Sequence, residues 1–151
     1  MINLVKIVLI SIFLFIINGC SVQKSYKEYS INVDIVGKPS NPLVKKFASL
    51  KTNDLSLEKL QLRIGDPNIQ KNEVSYNSSG ILTGYTLLLK IPVSISKDDE
   101  TVIKRYFESR KFVKNFNKTI ADKENYQSSL ENLYSKIFRS LQFVIRKINE
   151  N

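Results

Sequence analysis

The sequence contains no histidine and a single cysteine among its 151 residues. Histidine is the usual general base near neutral pH and the commonest nitrogen ligand of zinc, so triads, Cys-His dyads and histidine-bearing metal sites are excluded. One cysteine cannot build an internal disulfide framework. The sequence also has no glycine-rich phosphate-binding loop and no Cys-x-x-Cys pair. We therefore expect neither catalysis nor a bound metal or cofactor.

Glycine and proline are also scarce, with five and four residues, which excludes a collagen-like or linker-dominated chain. The hydrophobic content of 42% is that of a single folded domain. Basic residues outnumber acidic ones by 23 to 14, for a net charge of +9. This charge favours an anionic partner such as nucleic acid, phosphate or acidic lipid. The alternative is a compositional drift, because lysine, isoleucine and asparagine are all abundant while arginine is rare.

The first twenty residues have the pattern of a bacterial lipoprotein signal. Lys6 precedes an apolar segment, 7–17, that is too short for a comfortable bilayer crossing, and Gly19 precedes the only cysteine. The sequence Ile-Asn-Gly-Cys at 17–20 resembles a lipobox, which implies cleavage before Cys20 and acylation of that residue. Because each buried methylene contributes about 0.8 kcal/mol, several acyl chains make a durable anchor. The alternative is that Cys20 is an ordinary residue in an uncleaved anchor.

The lipobox divides the chain into a signal peptide over 1–19, a lipidated tether over 20–28 and a single domain over 29–149. Ser21 stands where an Asp would favour retention at the inner membrane, so the resemblance implies a lipid-anchored protein on the periplasmic side of the outer membrane. Removal of Lys6 with the signal leaves 22 − 14 = +8 charges. A nucleic acid partner is then disfavoured, because the protein leaves the cytoplasm.

Hydrophobic periodicity predicts the elements of the domain. Alternating apolar residues indicate strands over 29–35, 60–64 and 83–96, and Pro92 in the last of these implies an edge position or a bulge. The polar stretch 65–82 is predicted to be a long loop or an irregular hairpin end. A fourth strand over 101–116 requires a bulge near Ser109 to bring its aromatic residues to one face. The alternative for this segment is a helix.

Two helices complete the prediction. Asn41 and Pro42 are typical of the start of a short helix, and apolar residues at steps of three and four over 126–148 indicate a long one. Thr119 and Asp122 resemble a capping pair at its start. The order β-α-β-β-β-α predicts an α+β protein, an α/β two-layer sandwich. Its four-stranded mixed sheet has two helices packed on one face, with a parallel crossover at the beginning.

A lipobox followed by this order of elements resembles the lipopolysaccharide-assembly lipoprotein family, LptE. The stretches that carry the resemblance are 80–95, the partner strand with Arg110 and Phe112, and Leu-Tyr-Ser-Lys at 133–136. The resemblance implies an outer-membrane lipoprotein that plugs the LptD barrel, helps it assemble and takes part in lipopolysaccharide transport. The alternative function is an accessory lipoprotein of a lipid-transport ABC system in the periplasm.

Basic side chains are the candidates for contact with lipopolysaccharide, whose phosphates are anionic. The resemblance implies two basic contact positions. The one in the loop before the long strand is replaced by Ser78 in this sequence, a departure from the family pattern, whereas Lys123 matches the one at the start of the last helix. Basic residues also crowd 104–118, around a single Glu108. We therefore predict that Lys123, Arg110 and Lys111 contact lipopolysaccharide. The alternative for 104–118 is the solvated face of a strand whose lysines block edge-to-edge aggregation.

Overall fold

The computed structural model describes residues 33–50 and 60–149. The predicted signal peptide, Cys20, the tether and the first residues of the predicted domain therefore lie outside the described residues. In chain order the elements are β1 (Val33–Val36), α1 (Pro42–Ala48), β2 (Leu60–Ile64), β3 (Asn68–Tyr76), β4 (Leu82–Lys97), β5 (Glu100–Lys114) and α2 (Thr119–Asn149). The predicted α+β fold with two helices is confirmed, but the sheet has five strands rather than four.

β4 is the central strand of the sheet. On one edge it pairs antiparallel with β5 over 84–97, and its other edge is shared by β2 at 93–97 and β3 at 82–90. β1 pairs parallel with β2, and α1 lies between them in the chain, so the predicted parallel crossover is confirmed. β2 and β3 therefore follow one another along the same side of β4.

β3 is the strand that the sequence pattern missed, because 65–82 was expected to be a polar loop. Eight of its nine residues are exposed, so neither face shows the apolar alternation that marks a half-buried strand. Its backbone pairing with β4 holds it in the sheet. The expected hairpin end is present: the Asn77 side chain accepts hydrogen bonds from the N–H groups of Ser79 (3.0 Å) and Ile81 (2.8 Å).

The register of β5 also differs from expectation. Pairing with β4 is unbroken from Ile103 to Lys114, and the only shift lies between Thr101 and Ile103, not near Ser109. Phe107 and Val113 are buried, whereas Phe112 points to the opposite face and is 54% exposed. The expected bulge was wrong because it assumed that every aromatic residue of this strand faces the core.

Pro92 lies inside the sheet rather than at its edge. β2 pairs as far as Val93 and β3 begins opposite Lys90, so Pro92 occupies the gap between the two. The Gly65 N–H donates to the Pro92 carbonyl at 2.9 Å. Because the amide and carbonyl of a strand residue point to the same side, the missing N–H of the proline faces this gap and breaks no ladder pair.

One face of the sheet carries the core, as the alternation in β4 predicted. The apolar residues at 85, 87, 89, 91, 93 and 95 are all buried. α2 covers this layer with Leu133, Ile137, Leu141 and Ile145, which are also buried. Within 33–50 and 60–149, neither helix has a stretch long and apolar enough for a membrane crossing.

Local hydrogen bonds place both helices. Asn41 caps α1 as predicted, since its side-chain oxygen accepts the Leu43 N–H at 3.0 Å. At the start of α2, the Asp122 carboxylate accepts the N–H groups of Phe116 (2.7 Å) and Lys118 (2.9 Å). A negative group in this first turn also interacts favourably with the helix dipole.

Candidate lipid and partner interface

The face of the sheet opposite the helices, called here the open face, is covered by neither helix. Pairing register assigns to it the even-numbered residues of β4, those of β5 from Lys104 to Lys114, and Asp34 and Arg63 from the first two strands. Its charged side chains are five basic and two acidic: Arg63, Lys90, Lys104, Arg110, Lys114, Asp34 and Glu108. The open face is therefore a basic surface.

Arg110 and Lys111 lie on opposite faces of the sheet. Arg110 is exposed on the open face, opposite Leu88 in register. Lys111 is opposite the fully buried Leu87 and is half-buried on the helix side. A flat ligand cannot lie against both side chains at once, because successive strand residues point to opposite faces. The predicted trio therefore does not form one continuous site on the sheet.

Lys123 lies at the end of the domain remote from the start of the described chain. Val33 pairs with Leu60 at the Lys97 end of β4, whereas α2 begins beyond Lys114, at the other end of that strand. Sixteen residues of β4 separate the two ends, which is about 50 Å. We call the end formed by residues 73–83, 112–118 and 119–125 the distal end.

Hydrogen bonds hold the three parts of the distal end together. The Asn115 N–H donates to the Thr83 carbonyl at 2.9 Å, and its side-chain amide donates to the Leu82 carbonyl at 3.0 Å. The Asn125 side chain donates to the Lys114 carbonyl at 2.7 Å. The structure therefore brings the exposed Lys123 and the hairpin that contains Ser78 to the same end of the domain.

The distal end exposes many large apolar side chains. They are 47–76% exposed and belong to Val74, Tyr76, Ile81, Phe112, Phe116 and Ile120. Monomeric soluble proteins seldom leave a large contiguous apolar patch in water, and such patches mark sites that bind proteins or lipids. The apolar surface was not predicted, because phenylalanine in a strand pattern was assigned to the core.

Two acidic side chains at the distal end, Asp122 and Glu73, accept hydrogen bonds from within the domain. Asp122 accepts the two backbone N–H groups that begin α2, and Glu73 accepts the Tyr76 hydroxyl at 2.6 Å. The hydrogen bond with Glu73 raises the pKa of Tyr76, so its hydroxyl remains a neutral donor. The Lys114 ammonium lies 5.8 Å from the centre of the Phe116 ring. Exposed apolar rings beside ammonium groups suit a ligand that is both anionic and apolar.

Two tyrosines of the core, Tyr85 on β4 and Tyr134 on α2, have raised pKa values. Desolvation by burial raises the pKa of Tyr85, and the nearby Asp122 raises it further. The Lys71 ammonium lies 4.2 Å from the centre of the Tyr85 ring. Burial also raises the pKa of Tyr134 on α2. Both phenols therefore stay neutral at physiological pH.

No protein-family model matches the chain, and no curated protein matches it in sequence. Solved structures do match. Rare lipoprotein B from Shewanella oneidensis superposes with a TM-score of 0.59 at 11% identity, over 77% of this chain and 97% of that one. For lipoprotein B from Nitrosomonas europaea the TM-score is 0.54 at 10% identity, over 78% and 81% of the two chains.

A minor lipoprotein from Acinetobacter baumannii has 16% identity and a TM-score of 0.51, over 79% of this chain and 90% of that one. Identities this low establish a common fold and nothing more. All three of these proteins are nevertheless lipoproteins, and lipoprotein B structures are LptE-like. The described chain has the fold of these lipoproteins, and the resemblance to the LptE family is confirmed at the level of the fold.

Proposed function

We propose that this chain is an outer-membrane lipoprotein that plugs an LptD-like barrel, helps the barrel assemble and takes part in lipopolysaccharide transport to the outer leaflet. The observation that carries the proposal is the shared fold with rare lipoprotein B, which extends over 97% of that protein. The lipobox ending at Cys20 supports attachment to a membrane by acyl chains rather than by a spanning helix.

The surface of the domain supports a role in binding rather than in catalysis. The apolar distal end and the basic open face lie on surfaces that neither helix covers. A protein enclosed by a barrel buries surface of this kind against its partner, since interfaces combine an apolar centre with a polar rim. The basic side chains of Lys123, Arg110 and Lys111 would attract the anionic phosphates of lipopolysaccharide.

The test is affinity capture of the tagged full chain from the envelope of the bacterium that encodes it. We expect a large outer-membrane barrel to co-purify. Recovery of an inner-membrane permease and its ATPase would instead support the accessory lipoprotein of a lipid-transport ABC system. A Cys20→Ala variant controls for the anchor and should carry no labelled acyl chain.

A pair of matched variants tests whether the distal end contacts the barrel. Phe116→Ser with Ile120→Ser removes two exposed apolar side chains from that end, so we expect less barrel to be captured. Phe143→Ser removes a side chain that is 59% exposed near the other end of α2, and capture should be unchanged. Equal capture by all three proteins would contradict a role of the distal end in partner binding.

A further inference from the structure

We propose that a groove on the open face binds a phosphorylated sugar. The groove is shallow, has a volume of about 450 Å³, and lies where the neighbour of β4 changes from β2 to β3. Small-ligand sites have volumes of about 300–1,000 Å³, so a monosaccharide phosphate fits within it. The lining of the groove includes Arg63, Gly65, Pro92, Ser94, Lys104 and Tyr106.

Two cations flank a hydroxyl group in one row across three strands. Ser94 is paired in register with Arg63 on one side and with Lys104 on the other. Adjacent strands are about 4.8 Å apart, so the two basic residues start about 10 Å from each other, with Ser94 between them. Their long side chains can converge on one anion above the serine. A guanidinium and an ammonium are the side-chain groups that bind phosphate in proteins.

The two cations have no acidic partner among the residues that the structure describes. Elsewhere on the open face, by contrast, the Lys90 ammonium lies 3.5 Å from the Glu108 carboxylate. No acidic side chain of the described segments lines the groove. The positive charge of Arg63 and Lys104 is therefore available for an anion.

An apolar row lies directly beside the charged one. Pro92 is paired in register with Tyr106, and on its other side it accepts the Gly65 N–H. A Cβ at position 65 would come within 2.6 Å of the Pro92 ring, so glycine keeps this surface flat and open. Tyr106 is 68% exposed, although it is an aromatic residue within a paired strand. Proline and tyrosine together provide a surface against which the C–H face of a sugar ring can lie.

The charged row and the apolar row together indicate which class of ligand the groove binds. Two cations and a hydroxyl alone would bind inorganic phosphate, and an apolar surface alone would bind a neutral ring or an acyl chain. Because the two rows are adjacent, a ligand that carries a phosphate group directly on a sugar satisfies both. Arg105 does not contribute its charge, because its guanidinium lies 4.6 Å from the Phe107 ring centre on the helix side of the strand.

The groove is separate from the basic residues that the family resemblance indicated. Ser94 and Leu88, the partner of Arg110, are six residues apart on β4, which is about 20 Å. The inference depends on neither the barrel partner nor the lipid anchor. Its failure would therefore leave the proposed function standing, and the reverse also holds.

The test is calorimetric titration of the full chain, purified in a nonionic detergent, with glucose 6-phosphate, inorganic phosphate and glucose. We expect glucose 6-phosphate to bind more tightly than either of the other two compounds. The double variant Arg63→Gln with Lys104→Gln should lose about tenfold or more in affinity. Tyr106→Ala should remove the advantage of glucose 6-phosphate over phosphate while leaving phosphate binding intact.

A matched control separates the groove from general electrostatics. Lys45→Gln with Arg139→Gln removes the same charge from exposed positions on the two helices, on the other side of the sheet. This control should bind glucose 6-phosphate as the parent does. An equal loss in the control and in the groove variant would overturn the proposal, as would equal binding by the parent and the groove variant. Unchanged thermal unfolding of each variant shows that the fold is intact.

A second arm distinguishes a free ligand from a lipid-linked one. The full chain is floated with phosphatidylcholine vesicles that contain a phosphorylated glycolipid, and with vesicles that contain the same glycolipid after dephosphorylation. Binding that needs both the phosphate and the groove residues identifies a lipid headgroup as the source of the sugar phosphate. Binding in solution alone identifies a free sugar phosphate. Failure of the groove variants to weaken binding in both arms excludes the site.

Discussion

The aromatic ring of Phe112 lies directly over Gly84 on the open face. The two residues are on neighbouring strands, with Gly84 paired to Lys114 and Phe112 paired to Thr86, one diagonal step away. A Cβ at position 84 would come within 2.3 Å of the Cζ atom of the ring. An aromatic side chain that covers a strand glycine shields backbone which the glycine leaves bare, so Phe112 has a structural role although it is half exposed.

Gly84→Ala should therefore destabilise the domain. The new methyl group forces the Phe112 ring from its position, and we expect a loss of about 1–3 kcal/mol in the free energy of unfolding. Urea denaturation measures the loss. In a Phe112→Ala background the same substitution should cost much less, because no ring remains to clash. If the cost is the same in both backgrounds, the ring is not its cause.

The apolar stripe of α2 should carry much of the stability. Leu133 and Leu141 are fully buried against the sheet. Replacing a buried leucine by alanine costs about 2–5 kcal/mol, a large part of the about 5–15 kcal/mol that stabilises a typical domain. We expect a strongly lowered denaturation midpoint for Leu133→Ala or Leu141→Ala. Phe143→Ala on the exposed side of α2 is the control and should change the midpoint little.

Lipopolysaccharide binding should depend on Lys123, Arg110 and Lys111. Reversal of all three charges should weaken binding most at low salt, because exposed charges are screened over about 8 Å at physiological ionic strength. Single variants should show how much each residue contributes to the affinity for lipopolysaccharide, since Arg110 and Lys111 face opposite sides of the sheet and act independently. Titration at two salt concentrations measures the effect. Equal binding by the parent and the triple variant at low salt would remove these residues from the contact set.

The triple variant should retain the barrel partner. Plugging depends on shape and on buried contacts over a wide surface. A few charges at the rim of an interface mainly change the association rate and leave those buried contacts in place. Co-purification of the barrel with the triple variant measures this directly. Loss of the barrel together with lipopolysaccharide binding would mean that these charges serve assembly as well.

Stability should fall in alkaline solution through the buried tyrosines. Burial raises the pKa of Tyr85 and Tyr134 above the ordinary value of 10.0, which applies in the unfolded chain. The folded state therefore holds these protons more tightly, and this contribution is complete below pH 10.0 and is lost as the pH rises through the folded pKa. Denaturation midpoints across this range should fall less steeply for Tyr85→Phe and Tyr134→Phe. Identical slopes in the parent and both variants would contradict the assignment.

The elements with a buried face were determined by local sequence. In β4, apolar residues alternate from Tyr85 to Ile95 because every second side chain enters the core, and the structure buries all of them. The apolar stripe of α2 and the Asn41 cap follow equally local rules, which need only helical spacing and one side-chain oxygen. The resemblance to a lipobox at Cys20 is likewise contained in a few consecutive residues.

Long-range pairing decided the rest. β3 is a strand because β4 supplies its backbone partners, and with both faces in water its own side chains carry no periodic signal. The face on which Phe112 lies depends on the register of β5, which a pattern of aromatic residues cannot supply. Arg63 and Lys104 flank Ser94 only because two strands that are distant in sequence pair with opposite edges of β4. Hydrophobic spacing along the chain predicts which side chains enter the core. It does not predict a surface groove, because the groove forms where the backbone hydrogen bonds of separate strands bring polar side chains together.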